Sequence, residues 1–62
     1  MKTIEVPCLV EDRGYLKFDS TELWFTVSRI DILKDDFRLR LDMDSGHKRQ
    51  YYWKELNNIV FE

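Results

Sequence analysis

The sequence predicts a mainly β domain: a small barrel or a strongly bent antiparallel sheet of five to six short strands, with a short helical turn before the last strand. Three observations lead there. Apolar side chains recur at every second position in several short runs, the spacing that lines one face of a strand. Two Asp-x-Gly triplets, Asp12-Arg13-Gly14 and Asp44-Ser45-Gly46, punctuate those runs. With 62 residues there is room for one core and one domain, residues 1–62, because so short a chain buries only about 60% of its unfolded surface. Two Trp, three Tyr and four Phe against two Gly and one Pro supply the large apolar side chains that a fold without staples requires.

The first run is Ile4, Val6, Cys8 and Val10, read as a strand. Pro7 lacks an N–H and places that strand at an edge or a bulge. A three-residue loop at Asp12-Arg13-Gly14 then sets Val10 against Leu16 and Cys8 against Phe18. The stretch 19–34 admits two readings. Asp19 with Glu22 matches a helix capping box, and Leu23, Val27 and Ile30 have helical spacing, giving as alternative an α+β domain with one helix around residues 20–30. Leu23, Phe25 and Val27 also alternate, however, and Ile30 and Ile32 continue after a one-residue shift at Ser28-Arg29. Trp, Phe, Thr, Val and Ile favour strands, so a bulged strand is preferred.

The second hairpin is the strongest local signal. Phe37, Leu39, Leu41 and Met43 alternate with Arg38, Arg40 and Asp42, and the chain returns after Asp44-Ser45-Gly46. A three-residue loop pairs Leu39 with Tyr51 and Phe37 with Trp53 on an apolar face. It pairs Arg38 with Tyr52, Arg40 with Gln50 and Asp42 with Lys48 on a polar one. One more loop residue would oppose Leu41 to Gln50 and expose Trp53, which rules that register out. Residues 54–58 suit one helical turn, and Ile59, Val60 and Phe61 a closing strand. Strand count and turn spacing together resemble SH3-like barrels, a likeness of fold that assigns no function.

Chemistry-bearing patterns are few. Asp44, Ser45 and His47 share one hairpin tip and cannot form a triad, which needs a His bonded to both nucleophile and buried carboxylate. The Asp42-x-Asp44-x-Gly46 start of a calcium loop fails because Trp53 stands where the bidentate Glu belongs. One Cys and one His cannot make a structural zinc site, so no metal or other cofactor is expected. Cys8 falls on the inward side of its run and reads as core, not as a nucleophile. Asp35-Asp36 reads as a solvated turn, and neither Gly14 nor Gly46 belongs to a phosphate loop.

Twelve acidic and ten basic residues give a net charge of −2, against the basic excess usual in general nucleic-acid binders. The lone Cys and the absence of an apolar h-region near the start argue for a reduced, cytoplasmic setting. No apolar run approaches the roughly 20 residues of a membrane span. Two surfaces are candidates for partner binding. Trp24 and Tyr15 form one: on a strand Trp24 points outward with Thr26, whereas bulged packing buries it. Arg38, Arg40, Lys48 and Tyr52 form the other. The reading is a non-enzymatic protein-binding domain, monomeric or homodimeric, of the kind found among small phage or mobile-element accessory proteins and inhibitors. The alternative is a nucleic-acid-binding small β-barrel that uses the Arg38, Arg40, Lys48 and Tyr52 face.

Overall fold

The computed structural model describes residues 6–62. They form β1 (Arg13–Phe18), β2 (Thr21–Ile32), β3 (Phe37–Met43), β4 (Lys48–Tyr52), a 3-10 turn (Trp53–Glu55) and β5 (Ile59–Phe61). Every pairing is antiparallel, and the order across the sheet is β4-β3-β2-β1-β5. The chain is thus mainly β, with its single short helical turn before the last strand among the described residues. A barrel-like or strongly bent sheet fits this arrangement.

The central strand β2 decides between the two readings of the middle stretch, and the helix around residues 20–30 is not formed. Asp19, the residue of the capping-box pattern, and Ser20 instead make a two-residue connection between the paired Phe18 and Thr21. Asp19 takes φ 53 there, a left-handed conformation that Asp tolerates better than most residues. Farther along, the register with β3 shifts between Val27 and Arg29. The extra residue is Ser28, whose hydroxyl donates to the Arg40 carbonyl at 3.1 Å. This bulge resets the side-chain phase, so that Phe25 and Val27 before it and Ile30 after it all reach the core side.

The β3–β4 hairpin has the register expected from its alternation: Arg38 opposite Tyr52, Leu39 opposite Tyr51, Arg40 opposite Gln50 and Asp42 opposite Lys48. Gly46 sits at φ +98, where a side chain is strained. Trp53 begins the 3-10 turn and does not extend β4, yet its ring still stacks on Phe37 at 5.1 Å between centroids.

The N-terminal segment departs from expectation. Ile4 lies outside the described residues, and residues 6–12 contain no strand. Leu9 and Asp12 close a β-turn, with Asp12 N–H on the Leu9 carbonyl at 3.1 Å and Leu9 N–H on Asp12 Oδ2 at 2.8 Å. Glu11 occupies its third position at φ 77. The reversal therefore falls three residues before Gly14, and the pairings Val10–Leu16 and Cys8–Phe18 do not exist. Leu16 pairs with Leu23 and Ile59, while Val10 and Phe18 are exposed. Gly14 is no turn residue either. It lies inside β1, where a Cβ would collide with the Val60 carbonyl oxygen and press on Phe25 Cζ at 3.0 Å. Glycine lets β5 approach.

The core consists of Cys8, Leu16, Phe25, Val27, Phe37, Leu39, Leu41 and Met43. Each fully buried Leu, Val or Phe contributes about 1.5–3 kcal/mol relative to exposure. Trp53 bridges the ends of the sheet: it stacks on Phe37 of β3 and on Phe61 of β5, and Phe61 in turn meets Phe25 edge-on at 6.1 Å. One side of the sheet is consequently folded over the core, and the other faces outward.

Candidate functional site

The outward side collects every residue that the sequence marked for partner binding. Strand alternation puts Tyr15, Trp24, Arg38, Arg40, Lys48 and Tyr52 opposite to the core positions of their strands. Cross-strand pairing then arranges them in rows. Val60, Tyr15 and Trp24 are successive partners across β5, β1 and β2. Arg13, Thr26, Asp42 and Lys48 form the next row across β1 to β4, Arg29, Arg40 and Gln50 the third, and Asp31, Arg38 and Tyr52 the fourth. The two candidate surfaces are thus the two ends of one face, with the aromatic row on β5-β1-β2 and the basic rows on β2-β3-β4.

Trp24 is half-buried, between the two placements that the sequence left open. Its ring lies 4.9 Å from that of Tyr15 at a 47° tilt, and the Arg13 guanidinium stands over it at 5.9 Å from the centroid. Such aromatic and cation–π contacts hold both rings in place while part of each stays accessible. Arg13 is itself anchored to Asp44 by two bonds of 2.8 and 2.7 Å, and to Thr26 Oγ1 at 2.9 Å. This fork holds the Asp44 carboxyl below its ordinary range.

The basic end is partly neutralised from within. Asp31 accepts from Arg29 Nε at 2.7 Å and from Arg38 Nη2 at 3.1 Å. Arg38 first and Arg29 second hold its carboxyl low, while Arg38 is raised by Asp31 first and by Tyr52 second. Arg40 and Lys48 are exposed and form no ion pair with another described residue. Arg40 faces Arg29 across the β2–β3 ladder, a like-charge pair that costs stability. A shallow depression of about 350 Å³ opens beside the bulge, rimmed by Ser28, Arg40, Asp42, Lys48 and Gln50.

Of the groups considered for catalysis, Cys8 is buried, and burial with the nearby Asp12 carboxylate pushes its thiol up, away from the thiolate that a nucleophile needs. Ser45 and His47 are exposed at the hairpin tip, where Asp44 is engaged by Arg13. Sequence reasoning missed four members of the face. Arg13 was assigned to a turn, and Val60, Arg29 and Asp31 carried no signal until pairing placed them. The usable clue was that Arg29 and Asp31 share the spacing of Arg38 and Arg40, two apart on one strand face. The chain matches no protein-family model, no curated protein and no solved structure.

Proposed function

We propose that this chain is a non-enzymatic protein-binding domain whose recognition surface is the outward face of the sheet, centred on Trp24 and Tyr15. The observation that carries the reading is the row Val60, Tyr15 and Trp24, with Arg13 over the indole: rigid, part-exposed aromatics beside an arginine are the composition that anchors protein interfaces. Pre-anchoring by Asp44 lowers the ordering cost of binding. The nucleic-acid reading has less support. Single-strand binders stack successive bases on several rings, and the basic rows offer one, the exposed Tyr52. Two carboxylates, Asp31 and Asp42, also interrupt the basic rows, and a third, Asp44, is bonded to Arg13, whereas a phosphate backbone would bring a charge at every nucleotide. A reduced cytoplasmic setting and the role of a small accessory or inhibitor protein belong to the same proposal, supported by the buried free Cys8 and the small size.

The test is affinity capture from nuclease-treated lysate with wild type and Trp24→Ala, followed by reconstitution from purified components. We expect one protein to be recovered, to bind the purified domain directly, and to be lost with Trp24→Ala while the circular dichroism of the variant stays native. Capture that nuclease abolishes, or that Trp24→Ala leaves unchanged, would contradict the reading.

A further inference from the structure

Resting on that reading, we infer that the partner presents an acidic segment, whose carboxylates dock on Arg40 and Lys48 while an adjacent apolar side chain seats against Trp24 and Tyr15. The face shows which of its cations await a partner. Arg13 is spent on Asp44, and Arg29 and Arg38 share Asp31. Arg40 and Lys48 have no such bond among the described residues, and both rim the depression beside the Ser28 bulge. Arg40 also stands directly across from Arg29. A carboxylate between them would replace repulsion by attraction, whereas among the described residues no carboxylate is bonded to Arg40.

Complementarity extends beyond this pair. On a chain of net charge −2, the rows holding Arg29, Arg40, Gln50, Asp31, Arg38 and Tyr52 carry three cations and one acid, a local field opposite in sign to the whole. Lys48 shares its row with Arg13, Thr26 and Asp42, and Thr26 lies two residues from Trp24 on the same strand face. Adjacent strands are about 4.8 Å apart and alternate residues of a strand about 6.8 Å. An extended segment of a few residues therefore reaches from the indole to Arg40. A peptide can set its few carboxylates over these two cations and leave Asp31, Asp42 and Asp44 unopposed, which a uniformly charged phosphate chain cannot do.

Three synthetic twelve-residue peptides test this, each carrying one central Trp-Leu anchor flanked by Glu, by Gln or by Lys, together with a twelve-nucleotide oligo-dT. Binding is read by fluorescence anisotropy with wild type, Arg40→Ala/Lys48→Ala, Arg40→Glu/Lys48→Glu and Trp24→Ala, each checked for a native amide NMR spectrum. We expect the Glu peptide to bind tightest, to lose about tenfold in affinity with the alanine pair, and to yield to the Lys peptide with the glutamate pair. Equal binding of all three peptides, no binding of any, or indifference to both pairs overturns the inference. Should all three peptides bind equally and be lost with Trp24→Ala, the protein-binding reading stands without an acidic partner. Binding of oligo-dT alone removes both.

Discussion

At the residue scale, side chains of similar type carry very different weight. Leu39 is fully buried, so Leu39→Ala should cost about 2–5 kcal/mol through the cavity it leaves, read as a fall in the urea midpoint. Trp53→Ala should cost a similar amount, because its ring joins Phe37 to Phe61. Arg40→Ala should change stability by no more than about 0.5 kcal/mol, since the guanidinium makes no ion pair with another described residue; a large loss would make it structural and remove the basis of the acidic-partner inference. Gly14→Ala should destabilise by about 1–3 kcal/mol as β5 is pushed from β1. The ion pairs set a pH dependence. Arg13 and Arg38 lower the folded pKa of Asp44 and Asp31, so their stabilisation is complete above the unfolded carboxylate value of about 4 and is lost as pH falls through the folded values. The urea midpoint should drop below about pH 4 in wild type and do so less steeply in Asp44→Asn and Asp31→Asn. An unchanged acid limb in both variants would show that these pairs contribute nothing.

At the element scale, legibility followed agreement between independent local signals. The β3–β4 hairpin could be read to the residue because alternation from Phe37 to Met43, the Asp44-Ser45-Gly46 turn and the returning Tyr51 all demand one register. The bulge at Ser28 was legible for the same reason, as a phase slip between Val27 and Ile30. Deleting Ser28 should therefore close the ladder into regular alternation, with Arg29 still opposite Arg40 and Ile30 still opposite Leu39, and keep cooperative unfolding; loss of the native amide spectrum in the deletion variant would contradict the reading of Ser28 as the extra residue. The N-terminal segment misled because Val6, Cys8 and Val10 alternate like a strand, although only Cys8 is buried and Val10 occupies a turn. Gly14 misled because a glycine two residues after Asp12 looks like turn chemistry, while close approach of another strand leaves no trace in the local sequence.

For the whole molecule, the order β4-β3-β2-β1-β5 makes the last strand a neighbour of the first. The Tyr15–Trp24 pair extends onto β5 because Val60 lies beside Tyr15. Sequence reasoning recovered the polar face of one hairpin, which is local, but could not see that Tyr15 and Trp24 share that face, because their union depends on pairing across three strands. No described helix is long and apolar enough to cross a membrane. Among the described residues the edges of the sheet are the short β5 and the charged β4, and a short strand and a charged one both discourage strand addition, which agrees with the proposed use of the outward face.

The most direct measurement is an amide NMR titration of the isotope-labelled domain with its reconstituted partner. We expect shifts to concentrate at Tyr15, Trp24, Arg40, Lys48 and Tyr52, and in the Trp24 indole, with the core residues Leu39 and Leu41 unmoved. Shifts confined to the outer edge of β4, to β5 or to the 9–12 turn would place recognition elsewhere and contradict the assignment of this face.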